Sequence, residues 1–187
     1  DAYKGNKIIG VVTQKDQQIE DPTAQDLYNT GTLAHILKML KMPDGNITVI
    51  IQGKRKFTLK SITEEDPYFR GNIEAFTDEK ATKSKETNAT IESIRELASK
   101  IVAASPNIPS EANFALKNIN SPNFLVNFIS SNLNVSVDEK QEILEISNFK
   151  KKANRVLFFL DKELQMLELK NKIHTKVKVD LDQQQKE

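Results

Sequence analysis

Residues Thr32 to Ile51 read TLAHILKMLKMPDGNITVII, and two secondary structures compete for their first half. Leu33, Ile36, Leu37 and Leu40 fit the three-and-four spacing of a helix face. The segment runs directly, however, into Pro43-Asp44-Gly45, a turn in which proline presets φ and glycine supplies a positive one. Ile47 to Ile51, which leaves that turn, is β-branched throughout and reads as a strand. A hairpin of Thr32–Lys41 and Ile47–Ile51 accounts for both halves, and it makes the start of the chain a β lobe.

Working outward, Ile8-Ile9-Gly10-Val11-Val12-Thr13 is a short apolar run with the character of a doubly buried strand. Residues 18–30 are polar with one proline and read as a loop. Phe57 to Ile62 alternates with period two, TEEDPY forms a loop, and Phe69 to Phe76 gives a further strand. Several short strands with regular turns predict a small barrel or tightly curled sheet. Within it, Gly53 is followed by three cations, Lys54, Arg55 and Lys56. A phosphate loop would need a second glycine at position 48 and a hydroxyl after the lysine, and neither is present. With Phe57 and Leu59 inward, Arg55 is expected toward the core or the barrel rim. Lys54 and Lys56 then face water, where lysine discourages edge-to-edge pairing.

Residues 77–89, TDEKATKSKETNA, are polar and of low complexity, and the period changes after them. Ile91, Ile94, Leu97, Ala98, Ile101 and Val102 define an amphipathic helix ending before Pro106. Ser110 is positioned to cap a helix containing Phe114 and Leu116. Ser121-Pro122 places proline at the first position of a helix holding Phe124, Leu125, Phe128 and Ile129. Ser136 or Asp138 caps DEKQEILEI, and Ser147 opens a long helix striped with Ala153, Val156, Leu157, Leu160, Leu164 and Leu167. The tail alternates Ile173, Thr175, Val177, Val179 and Leu181 with polar residues, a strand pattern taken alone. No glycine, proline or cap separates it from the helix before it, so a continuing, solvated helix is expected, its partner surface on another chain. The predicted organisation is α+β: a β-rich lobe over 1–78, a linker over 79–89, and a helical bundle over 90–187 whose long final helix starts near 148 and projects.

The 187 residues carry 27 basic and 26 acidic side chains, a net charge of +1. Up to residue 80 the counts are 11 and 12, and beyond it 16 and 14, so neither half is a basic body of the kind that neutralises many phosphates. There are no cysteines, which excludes disulfides and thiolate zinc sites and fits a reducing compartment. No apolar run approaches the roughly 20 residues of a membrane helix. The first residue is Asp1 rather than methionine, and the expectation is a segment of a longer protein.

Few residues suggest bond chemistry. His35 and His174 lie far apart in sequence and form no H-x-x-x-H or H-E-x-x-H pair, so neither a metal nor a catalytic role is expected of them. Glu64-Glu65-Asp66 are adjacent and fan apart, whereas acid–base work brings carboxylates together from different elements. A G-x-S-x-G elbow is lacking, and three tyrosines without tryptophan give little to stack bases on. Met39, Met42 and Met166 are the candidate substrate contacts, because flexible, polarizable side chains suit surfaces that accept varied apolar partners. Gap-filling in a core is the competing role for each.

Asp26 to Phe57, DLYNTGTLAHILKMLKMPDGNITVIIQGKRKF, resembles the amino-terminal domain of the ATP-dependent Lon protease family. That family's pattern runs D-[LI]-[FY]-x-[VT]-G-T-x-A-x-I-L-x-[ML]-[LM]-[KR]-[LM]-P-D-G and then [VI]-x-G-x-x-R-x. Asp26, Leu27, Tyr28, Gly31, Thr32, Ala34, Ile36, Leu37, Pro43, Asp44, Gly45 and Gly53 match it. Lys56 stands where the family often has arginine. Upstream IGVVTQKD, and downstream DEKQEILEI and RVLFFLDKELQMLELKNKI, extend the resemblance over nearly the whole chain. The family's earlier strand and helix, bearing L-F-P-G, have no counterpart here; a barrel lacking its first strand would expose an edge, so disorder, an altered fold or a further segment upstream is expected. The resemblance implies recognition of unfolded or degron-bearing proteins and assembly into a cytoplasmic homohexamer. It implies no catalytic, cofactor or metal residue in this chain, with ATP and magnesium held by a downstream ATPase and peptide cleavage by a serine–lysine pair beyond that. A nucleic-acid-binding accessory role is the alternative, suggested by Lys150-Lys151-Lys152 and by the DNA association of full-length members, and no membrane partner is expected.

Overall fold

The computed structural model describes residues 2–109 and 111–184, with side-chain environments through residue 179. The chain divides into two compact units, residues 1–78 and 79–187.

The first unit is a four-stranded antiparallel meander. Strands β1 (Ile8–Gln14), β2 (Leu27–Lys41), β3 (Ile47–Glu64) and β4 (Arg70–Ala75) pair in chain order. Among the described residues the sheet does not close, so of the small barrel or curled sheet that the sequence predicts, the closed barrel is not formed. The turn joining β2 to β3 is the one that Pro43-Asp44-Gly45 predicts. Gly45 has φ +88°, its N–H donates to the Met42 carbonyl at 3.0 Å, and the Met42 N–H donates to the Asn46 carbonyl at 2.8 Å. Asp44 accepts from the Asn46 N–H at 3.0 Å and from its side-chain amide at 2.8 Å, and these bonds hold the carboxyl below the usual aspartate range.

Two sequence expectations about strands are corrected. The loop expected through Thr30 ends sooner, since β2 already begins at Leu27 after a short 3-10 turn, Ala24–Asp26. Ile47–Ile51 and Phe57–Ile62 are one continuous 18-residue strand, not two. Gly53 does not end pairing there. Leu33 lies opposite Arg55 and Ala34 opposite Gly53, so Lys54 is an extra residue taken up by a bulge. A second bulge falls between Ile36 and Lys38.

The apolar core of this unit is small: Leu27, Ala34, Ile36 and Phe57 are buried. Gly31 makes it possible. A Cβ there would stand 2.5 Å from the Val11 carbonyl oxygen and 2.6 Å from the Phe57 ring, so β1 and that ring close directly onto bare backbone.

The second unit is helical: α1 (Lys85–Ala104), α2 (Ala112–Asn118), α3 (Pro122–Asn132), α4 (Val137–Glu145) and α5 (Phe149–Gln184). Helix α1 begins inside the stretch read as linker, because Ser84 caps it by accepting from the Thr87 N–H at 3.0 Å. Ser121 caps α3 by accepting from the Phe124 N–H at 3.3 Å, with Pro122 at the first helical position. Ser136 and Glu139 form a reciprocal capping box on α4. Ser110 lies outside the described residues. The cap of α5 is Asn148 rather than Ser147. Its side-chain oxygen accepts from the Lys151 N–H at 2.9 Å, while the Ser147 carbonyl takes the Glu79 N–H.

The core forms where α1, α3, α4 and α5 meet. Ile94, Leu125, Val126, Ile143, Val156 and Phe159 are its largest fully buried side chains. Half-buried Arg95 ties α2 to α1 by donating to the Leu116 carbonyl and, at 3.0 Å, to that of Ile119. These carbonyls lie at the end of a short helix, where a cation complements the dipole. The stripe read on α5 divides: Ala153, Val156 and Leu160 are buried, whereas Leu157, Leu164 and Leu167 are partly so. Helix continues unbroken through the alternating tail, and every residue from Glu168 to Val179 is exposed.

Candidate functional site

Buried apolar residues occupy only part of the β2–β3 ladder. From Ile47 to Arg55 every residue of β3 is exposed, and so are Leu37, Lys38, Met39 and Lys41 of β2. Register sorts the side chains, since residues directly opposite each other share a face of the sheet. Met39 faces Val49 and Lys41 faces Ile47 on one side, while Lys38 faces Ile50 and Leu40 faces Thr48 on the other. Ile47 is 61% exposed and Met39, Val49, Ile50 and Ile51 are each a little above 40%. Met42, in the turn, is equally open at 42%. Contiguous apolar surface of this kind marks a place of contact with something else.

Met39 and Met42 thus belong to one exposed hairpin. Met166 belongs to the other unit, on α5, where it stands exposed in a stripe with Leu169, Ile173 and Val177. Sequence reasoning did not single out Leu37, Ile47, Val49, Ile50 and Ile51 as surface residues, because a run of apolar residues read as strand does not say whether either face is covered. The available signal was the lack of a second apolar segment long enough to cover both faces of the hairpin.

The basic triplet also departs from expectation. Arg55 is exposed, and Lys56 is the enclosed member: its ammonium lies 2.6 Å from Asp78 and 4.0 Å from the centre of the Phe76 ring. The Phe76 N–H donates to the Lys56 carbonyl, so the chain leaving β4 covers this lysine from the face opposite Phe57. Strand alternation alone could not reveal that cover.

The remaining candidates stay apart. His35 sits half-buried in β2, flanked by β1 and β3, and His174 is exposed on α5. Glu64 ends β3 and pairs with Arg70 at 3.4 Å. Among the described residues no group of three or more His, Asp or Glu side chains could hold a metal ion, and no helix is long and apolar enough to cross a membrane. A groove of about 560 Å³ runs between α1 and α5 over Leu97, Leu157 and Phe158. Its acids are spoken for, Glu96 by Lys100 at 2.8 Å and Asp161 by the Gln165 amide at 2.7 Å. Lys150, Lys151 and Lys152 form no common cationic face, since successive helical residues point about 100° apart. Lys150 pairs with Glu86 at 2.7 Å, and Lys152 is buried.

An open sheet that displays apolar side chains to water, in a chain that also holds a capped helical unit, has the makings of a binding module. Comparison with known proteins gives that class its family. The family described as the ATP-dependent protease La (LON) substrate-binding domain matches residues 1–162, and the chain belongs to it. It is similar to the Lon protease of Flavobacterium johnsoniae, 50% identical over 188 residues that take in 100% of this chain and 23% of that protein. It is also similar to that of Cytophaga hutchinsonii, 44% identical over 186 residues, 99% of this chain and 23% of that protein. The chain therefore spans about a quarter of the length of these relatives. Among solved structures, the fold matches the N-terminal domain of the Mycobacterium avium complex Lon protease with TM-score 0.64 and 12% identity, covering 82% of this chain and 90% of that one. The Lon N-terminal domain protein of Xanthomonas campestris matches with TM-score 0.55 and 14% identity, covering 84% and 78%.

Proposed function

We propose that this chain is the non-catalytic substrate-recognition and assembly module of a cytoplasmic ATP-dependent Lon-type serine protease, and that it binds unfolded or degron-bearing proteins. The observation carrying this reading is the exposed apolar hairpin, in which Leu37, Met39, Met42, Ile47, Val49 and Ile50 stand in water. Unfolded clients share exposed apolar side chains and little else, so a surface rich in methionine and β-branched residues selects them without demanding one sequence. ATP, magnesium and peptide cleavage belong to modules outside this chain.

Assembly falls to α5. Met166, Leu169, Ile173 and Val177 recur at three- and four-residue intervals and stay exposed, the spacing of a seam that pairs with another helix. We assign that seam to a second copy within a homohexamer, with the helix projecting toward the motor.

The test is titration of the chain with a chemically unfolded protein and, separately, with its native form, read by amide chemical shifts. The expected result is binding of the unfolded form only, on the order of micromolar, with shifts at Leu37–Ile51. Saturating unfolded protein that perturbs no residue of the hairpin overturns the docking role.

A further inference from the structure

The exposed hairpin is predominantly basic. Between His35 and Phe57 the bases are Lys38, Lys41, Lys54, Arg55 and Lys56, and Asp44 is the single acid. Lys56 is engaged with Asp78. Lys38, Lys41, Lys54 and Arg55 are exposed and, among the described residues, make no ion pair; Lys54 donates to the Gln52 side-chain oxygen at 2.6 Å, a neutral acceptor. Asp44, hydrogen-bonded to Asn46 within the turn, keeps its negative charge and offsets one of these four cations, so the hairpin stays net positive.

These cations bracket the apolar residues. Lys41 lies opposite Ile47 at the turn, on the face of Met39 and Val49; Lys38 lies opposite Ile50 on the other face, and Arg55 follows the bulge at the far end. From Ile47 to Arg55 the strand covers about 26 Å at 3.3 Å per residue, the reach of roughly eight extended residues. Apolar contact in the centre with unpaired positive charge along the length defines a complementary occupant. Building on the docking role proposed above, we infer that the hairpin prefers extended client segments whose apolar centre is flanked by aspartate or glutamate, and disfavours those flanked by lysine or arginine. Rim charges of this kind act mainly on encounter and selectivity and are sensitive to salt. A duplex or single strand of nucleic acid would satisfy the cations but leave Met39, Ile47, Val49 and Ile50 without apolar partners.

The experiment uses the 187-residue chain and three fluorescent twelve-residue peptides with one shared apolar centre and flanks of aspartate, serine or lysine. Near 50 mM salt the aspartate peptide should bind about fivefold tighter than the serine peptide and the lysine peptide weaker than both, and raising salt toward 500 mM should close the gap, as screening of exposed charges requires. Lys38→Gln, Lys41→Gln, Lys54→Gln and Arg55→Gln combined should bring the aspartate peptide to the serine peptide's affinity. Circular dichroism of the variant guards against misfolding, and the salt arm on the unaltered chain tests the same point without any substitution. Equal affinity for all three peptides overturns the charge preference while leaving docking standing, as does a preference that survives the four substitutions. No binding of any peptide overturns both readings. Tighter binding of a single-stranded oligonucleotide than of the aspartate peptide, lost in the variant, overturns the inference in favour of nucleic acid.

Discussion

In the helical unit Ile94, Leu125, Val126 and Val156 are fully buried, while in the sheet unit Ile47, Val49, Ile50 and Ile51, side chains of the same kind, stand open to water. The difference is one of cover. Helices α1, α3, α4 and α5 each bring an apolar stripe to a common centre, so every stripe hides the others. The β2–β3 ladder is longer than the core beneath it, and its far end has no second layer among the described residues. The helical unit covers its central stripes and leaves other apolar residues in water outside that centre, Met166, Leu169, Ile173 and Val177 of α5 among them, whereas the sheet unit leaves most of its long hairpin on display. Hydrophobic composition alone therefore says little about which part of a chain is core and which is contact surface.

That contrast is open to measurement. Phe159→Ala, at a ring 1% exposed between α5 and the rest of the helical core, should cost about 3–5 kcal/mol. Denaturant unfolding followed by hydrogen exchange should place the loss in residues 79–187. Gly31→Ala should cost about 1–3 kcal/mol through the clash with Val11 and Phe57, read as faster exchange in β1 and β2. A neutral outcome there would mean that the sheet core is looser than its contacts indicate. Ser136→Ala, which removes the cap of α4, should cost about 1 kcal/mol, with fraying confined to α4.

The same capping box sets a pH dependence. The Ser136 N–H, donating to Glu139 at 2.9 Å, holds that carboxyl below the ordinary glutamate value. A depressed folded value stabilises the fold at pH above the unfolded value of about 4.3 and loses that contribution as pH falls through the lower folded one. Protection factors in α4, corrected for the intrinsic exchange rate, should fall over that acid window, and Glu139→Gln should remove Glu139's share of the dependence. Smallest in stability terms, Ile47→Thr with Val49→Thr should change unfolding by no more than about 0.5 kcal/mol, as exposed positions do. Binding of unfolded protein should nevertheless weaken. A large stability loss would instead identify the hairpin as core and erase the contrast between the units.

Much of this was legible in the sequence. The Pro43-Asp44-Gly45 turn, the caps at Ser121 and Ser136, and the helix stripes rest on interactions within a few residues, which local pattern reports directly. The block from Asp26 to Phe57 carried the family resemblance, and its Gly31 has a physical ground in the close approach of Val11 and Phe57. Other readings failed where distant residues decide. The bulge at Lys54 joined two expected strands into one, and Phe76 with Asp78 enclosed Lys56 while leaving Arg55 in water.

Taken by itself, the sequence determined where chain direction reverses, where helices begin, and that a β-rich part precedes a helical one, because turn chemistry, capping and periodicity are short-range. Only the tertiary structure decided which apolar residues are covered. Burial depends on whether another segment arrives above a given face, and no residue carries that information in its own neighbourhood. At Ile47–Ile51 none of the described segments does, and there a strand of apolar residues is surface.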